Sequence, residues 1–139
     1  MRIMAVDYGA VRTGIAVCDA SETIASPVCV IRIPAVNEDG LLQAVAAKAE
    51  ELSAERIVVG NPLRTDGRDS EMSERASAFA CRLAEKSGIT TELADERFTT
   101  LIASRSLRQA GKDSRRQRAC IDAAAAAVLL QDYIDARRS

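Results

Sequence analysis

The sequence predicts an α/β protein. Its expected core is a five-stranded mixed sheet, three antiparallel strands and then two parallel crossover units, with helices on both faces. Three observations predict this. The chain opens with two apolar runs, RIMAVD and GIAVCD, around a turn that carries Gly9 and Gly14, the pattern of a buried hairpin. A short β-branched run, RIVVG at 56–60, stands between a helical pattern and a turn, as a buried parallel strand does. From Asn37 onward, amphipathic helical segments alternate with strands.

Each element follows in order. After the hairpin of Arg2 to Asp19, Ile24 to Ile33 reads as a third strand, with Pro27 favouring an edge position because it lacks a donor. Asn37 is a plausible N-cap for a helix to about Ser53, and Asp39 suits the dipole at its start. Its inward stripe is Leu41, Leu42, Val45, Ala49 and Leu52. Arg56 to Gly60 is the fourth strand, and NPLRTDGRD is the loop after it. A second helix runs from about Ser70 to Lys86, with Met72, Ala76, Phe79, Ala80 and Leu83 inward and Gly88 as its stop. Ile89 to Ala94 is the fifth strand and leads into Asp95, Glu96 and Arg97. Thr99 or Thr100 caps a third helix that Gly111 ends, a basic linker covers Lys112 to Arg116, and a last helix spans about Gln117 to Arg137.

Composition narrows the function classes. A chain of 139 residues with 47% apolar content is expected to form one domain, residues 1–139, with an aliphatic, alanine-packed core, since it has no Trp, two Tyr and two Phe. No leader-like or membrane-length apolar run is seen, so a cytoplasmic location and no membrane partner are expected. Cys18, Cys29, Cys81 and Cys120 are scattered without a C-x-x-C pair, which argues for free thiols over a zinc site. The absence of histidine excludes Ser-His and Cys-His catalysis. Net charge is −1, but its distribution is uneven: Leu101 to Arg118 holds six basic residues against Asp113 alone, and Asn37 to Glu55 holds five acids against Lys48. Such a stripe can hold phosphates on a protein of near-neutral total charge.

Three carboxylates are candidates for the chemistry. In the expected sheet the first, fourth and fifth strands run parallel, and their C-terminal tips carry Asp7, Gly60-Asn61 and Asp95-Glu96. Ligands of open α/β sheets sit at that edge. On an ideal last helix, Asp122 falls with the apolar arc of Ala126, Leu129 and Tyr133 rather than with Gln131, Asp132 and Asp135. A carboxylate on a core-facing arc is costly unless something pairs with it. Three such anions within a few ångströms would repel by about 3–4 kcal/mol per pair at an effective dielectric near 20. Either they do not converge or divalent cations hold them. Oxygen-only ligands point to Mg²⁺ or Mn²⁺, which serve phosphoryl transfer. Plainer roles stand beside these: Asp7 as a turn cap, Glu96 as a solvated partner of Arg97, and Asp122 as an acid near a helix N-terminus.

VDYGAVRTGIAVCD, VVGNPLRTDG, DERFTT and IDAAAAAVLLQDY, in this order and over nearly the whole chain, resemble the YqgF/RuvX family of Holliday-junction resolvases and pre-16S rRNA processing nucleases. The resemblance implies an RNase H-like fold and a cytoplasmic, Mg²⁺-dependent nuclease of the two-metal-ion type. It implies that Asp7, Glu96 and Asp122 are the catalytic, metal-holding acids. Asp95 lies in the same motif as Glu96 and is a candidate second ligand or orienter of Arg97. Two departures stand out: Val11 where the family often has Lys, and Asn61 where it often has an aliphatic residue.

A nuclease also needs cations along the strand. Arg12 and Arg97 are nominated near the acids, with Lys112, Arg115 and Arg116 as an arm over the backbone; a solvated charged linker is the plainer reading of that arm. Few aromatics leave little for base stacking, so backbone and shape recognition is expected. The expected partner is nucleic acid, either an rRNA precursor or branched DNA, and the sequence leaves that choice and the oligomeric state open. Two rival classes remain: a non-catalytic ribosome-assembly factor that binds nucleic acid, and an actin/hexokinase-like phosphotransferase, whose phosphate loop also starts with D-x-G. Against the second, the chain has length for one lobe only and lacks G-x-x-x-x-G-K-[ST].

Overall fold

A computed structural model of the chain describes residues 1–9, 11–61, 69–95 and 114–138, with only the backbone for residues 61, 69–73, 95, 114–122 and 138. The strands are β1 (Ile3–Asp7), β2 (Thr13–Cys18), β3 (Ala25–Ile31), β4 (Arg56–Asn61) and β5 (Thr90–Asp95). The helices are α1 (Glu38–Glu51), α2 (Asp69–Ser87) and α3 (Ser114–Arg138). The sheet order is β3-β2-β1-β4-β5. β2 is antiparallel to β1 and β3, whereas β4 is parallel to β1 and β5. The expected mixed sheet is therefore observed, with β1 at its centre.

That central place explains the composition of β1. Ile3, Met4, Ala5 and Val6 are all fully buried, because the strand is covered on both faces. Period-two alternation sorts them. Met4 and Val6, with Tyr8, Ile15, Ile57 and Val59, pack under Leu41, Val45, Phe79 and Leu83 of α1 and α2. Ile3 and Ala5, with Ala16, Cys18 and Val58, pack under Ala126, Leu129, Leu130 and Ile134 of α3. Helices thus cover both faces, and the alanines of α3 let it lie close on the sheet.

Local signals mostly act as read. The Asn37 side chain accepts from Gly40 N at 3.3 Å at the start of α1. A Cβ at Gly40 would stand 2.6 Å from Asn37 Nδ2, so the cap needs a glycine there. Gly88 closes α2 with φ +71°, a conformation that costs glycine nothing. Pro27 lies on edge strand β3, where the register shift between Ile15/Cys29 and Ala16/Pro27 leaves Val28 as an extra residue.

Two boundaries differ from expectation. β3 is shorter than the Ile24–Ile33 run, ending at Ile31. α3 begins at Ser114 rather than near Gln117, so Arg115 and Arg116 belong to its first turn and not to a linker. Ser-Arg-Arg-Gln contains no breaker, and Arg and Gln are good helix formers, so the long helix extends through them. The loop at 62–68 and the helix expected between Thr99 and Gly111 lie outside the described residues.

Candidate active site at the rim of the central strand

Asp7 is the last residue of β1 and is half-buried. Alternation puts it on the same face as Ile3 and Ala5, the face that α3 covers. Opposite it on β2 stands Gly14, by direct register. On the other side, the parallel register that pairs Val6 with Val59 brings Gly60 of β4 next. Both glycines are buried. The carboxylate therefore has no neighbouring Cβ at its own level on either flanking strand. The sequence reading placed Gly60 at a strand tip on the same rim and used Gly14 as a turn signal, but their flanking of Asp7 depends on strand register.

The turn after Asp7 is tight. A Cβ on Gly9 would lie 2.4 Å from the Arg12 carbonyl oxygen, so only glycine fits. The turn returns the chain through half-buried Arg12, two residues before Gly14. Neither Asp7 nor Arg12 is without a partner. Next to Arg12, the Thr13 hydroxyl is buried and has no hydrogen-bond partner among the described residues.

The polarity of α3 bears on the acid it carries. Near its C-terminus, the Tyr133 hydroxyl accepts from Arg56 Nη1 at 3.1 Å, and the same nitrogen donates to Glu92 at 3.2 Å. Arg56 pairs in register with Ile3 and Thr90, at the end of the parallel strands away from Asp7. Further along, Gln131 accepts from Ala25 N at 2.9 Å and donates to the Thr23 carbonyl at 3.0 Å, and Arg137 Nε donates to Glu22 at 3.1 Å. The helix thus runs from the Asp7 rim toward the opposite end. Asp122 precedes Tyr133 by eleven residues, about 16 Å of helix at 1.5 Å per residue. Ile3 to Asp7 spans about 13 Å of strand. The helix backbone at Asp122 is accordingly level with the rim, on the face of Asp7. Connectivity puts the first turns of α1 and α2 at this rim as well, since each follows a strand that points there.

Among the described residues no three Asp, Glu, Cys or His side chains gather around a point that could hold a metal ion. Glu96, Arg97 and Lys112 lie outside the described residues, as do the side chains of Asp95, Arg115, Arg116 and Asp122. The donor chemistry that is described, a carboxylate at a strand end in a chain without histidine, suits a hard, oxygen-seeking cation. No described helix is long and apolar enough to cross a membrane. Cys18, Cys29 and Cys81 are free thiols, and burial pushes those of Cys18 and Cys29 up.

Comparison with known proteins bears on the fold and the family. A protein of Rhodopirellula baltica, named as a candidate pre-16S rRNA nuclease, is 39% identical over 137 residues, 99% of this chain and 78% of that protein. A Mycobacteroides abscessus protein of the same name is 41% identical over 138 residues, 99% of this chain and 82% of that protein. Among solved structures, T. thermophilus RuvC in complex with a Holliday junction substrate superposes with a TM-score of 0.62, covering 100% of this chain and 96% of that one. At 15% identity that likeness shows the fold, which is RNase H-like. The family model described as RuvX, Holliday junction resolvase, matches residues 1–136, and the chain belongs to that family.

Proposed function

We propose that this chain is a nuclease that hydrolyses phosphodiester bonds, acting in the cytoplasm as one domain over residues 1–139, with precursor ribosomal RNA or branched DNA as its substrate. The observation that carries the reading is the half-buried Asp7 at the tip of the central strand, flanked by Gly14 and Gly60 and facing the helix that bears Asp122. The names of the relatives support RNA, and the structural neighbour supports DNA.

In this reading Asp7, Glu96 and Asp122 hold one or two Mg²⁺ or Mn²⁺ ions, and Asp95 either adds a ligand or orients Arg97. The ions, when bound, supply an activated water and counter-charge for the leaving oxygen. The chain's own residues do the rest. Arg12 and Arg97 neutralise the phosphate beside the acids, and Lys112, Arg115 and Arg116 hold the flanking backbone. Three helix N-termini at one rim add favourable dipoles for an anionic strand.

The test compares wild type with Asp7→Asn on precursor 16S rRNA, single-stranded RNA and a four-way DNA junction, each with Mg²⁺, Mn²⁺ or EDTA. Metal-dependent cutting is expected to disappear in the variant while its Tm holds or rises, because a repulsive anion has gone. Cutting by the variant at the wild-type rate would refute the assignment.

A further inference from the structure

Two buried side-chain polar atoms lack a hydrogen-bond partner among the described residues, Arg56 Nε and the Thr13 hydroxyl. Arg56 is otherwise served, because its Nη1 donates to Glu92 and to Tyr133. Thr13 has a single polar side-chain atom and is 0% exposed, so water at the surface does not serve it either. A buried hydroxyl left unpaired is costly, and valine would fill a strand position of this shape without that cost. Such a group calls for a specific explanation.

The surroundings narrow the choice of acceptor. Thr13 opens β2 and pairs with Ile31 of β3. Alternation gives its side chain the face of Ile15, beneath α1 and α2, where Ile15 and Ile31 offer only carbon. The ladder between β1 and β2 ends at the Asp7/Gly14 pair. The carbonyls of Tyr8, Gly9 and Arg12 lie beyond that pair and are the acceptors nearest in the chain. Backbone is crowded there, since Gly9 packs directly on the Arg12 carbonyl.

The chain neighbours of Thr13 tie it to the rim chemistry. Gly14 stands directly opposite Asp7, and Arg12 is half-buried on the other side of Thr13. Alternation sends both toward the Asp7 face, so the seating of Thr13 sets where Arg12 emerges. Arg12 has a partner in the free protein. Taking up a phosphate re-aims its guanidinium and pulls on the backbone that it shares with Thr13.

Building on the nuclease reading, we propose that Thr13 is a positioning residue, its hydroxyl unpaired in the free protein and donating to a carbonyl of Tyr8, Gly9 or Arg12 once Arg12 grips a substrate phosphate. The hydrogen bond gained then favours the bound arrangement of Arg12 over the free one, and only such a difference between two states can add to affinity.

The experiment measures binding of a short fluorescein-labelled single-stranded RNA by anisotropy, in EDTA so that nothing is cut, beside urea unfolding of each free protein. It uses wild type, Thr13→Val, Thr13→Ser, Arg12→Gln and the double variant Arg12→Gln/Thr13→Val. Thr13→Val should raise the urea midpoint, because an unpaired donor leaves and no bond is lost. The same variant should bind RNA about three- to tenfold more weakly. Its salt slope should not change, because every phosphate contact remains. Thr13→Ser keeps the hydroxyl and should bind within about twofold of wild type. In the Arg12→Gln background, Thr13→Val should cost no further affinity, as expected of residues that act as one unit. A lower urea midpoint for Thr13→Val would show the hydroxyl already bonded in the free protein, for instance to a buried water, and would overturn the proposal. Wild-type affinity in Thr13→Val would do so too, as would an undiminished loss in the Arg12→Gln background. Cutting by Asp7→Asn at the wild-type rate sinks the nuclease reading and leaves these affinities untouched, so the two failures are distinguishable.

Discussion

Asp7 shows how a single residue acquires its setting from its neighbours. Its strand is apolar because both faces are covered, and the carboxylate comes where the cover ends. Gly14 and Gly60 put no Cβ beside it. Gly60→Ala should therefore lower cutting by about tenfold or more, through a methyl set beside the carboxylate, while Tm moves by only a few degrees; parallel assays of rate and melting check this. Gly9 has a different duty. Its substitution by Ala would drive a Cβ against the Arg12 carbonyl, and a loss of about 1–3 kcal/mol is expected in urea titrations. The position of Asp7 was legible in the sequence, as an acid where a strand run meets a turn. The flanking glycines and the unpaired hydroxyl of Thr13 were not, since register and facing pair residues far apart in the chain. The alternation from Asp7 to Tyr8 was the available signal for the opposite face.

At the scale of elements, α3 matters most. Its apolar residues lie on β1, β2 and their neighbours, and its far end is fastened by Tyr133 to Arg56 and by Gln131 to the start of β3. Tyr133→Phe removes one half-buried hydrogen bond and should cost about 0.5–1.5 kcal/mol by urea denaturation. At the other end of the fold, Asn37→Ala should cost about 1 kcal/mol by removing the α1 cap; no change in urea midpoint would show that the Gly40 N–H finds water instead. The cap was legible because Asn before an acidic first turn has a local cause. The start of α3 was not, because Ser-Arg-Arg reads equally as a charged linker and as a helical turn. Gln131, grouped in the sequence with Asp132 and Asp135 on the polar arc of the last helix, bonds the start of β3, a contact that spans 106 positions.

For the whole molecule, charge and pH give the sharpest expectations. Asp19, in the turn between β2 and β3, accepts from the Ser21 hydroxyl at 2.6 Å and from Thr23 N at 2.7 Å, and these bonds pull its carboxyl from 3.8 to about 2. A depressed folded-state value means that its stabilising share is present above pH 3.8 and is lost as pH falls through about 2. Asp19→Asn should lower Tm at neutral pH and flatten its acid limb between those values, so that the variant and the wild type converge near pH 2. Nucleic-acid binding should follow salt: if all six basic residues between Leu101 and Arg118 meet phosphates, log K should fall with log salt at a slope of roughly −4 to −5. A slope near zero would remove that stripe from the interface.

The amino-acid order alone determined the succession of strands and helices, the edge place of the proline-bearing strand, the helix cap and the acids to suspect. Those features have short-range causes: hydrophobic period, missing donors and side chains that bond their own backbone. Only the tertiary structure decided that α3 shares a face with Asp7, that it runs from the rim downward, and that Tyr8 and Thr13 turn to the opposite face. Those facts depend on which strands pair and in what register, and pairing energy comes from contacts across the sheet that no local stretch contains.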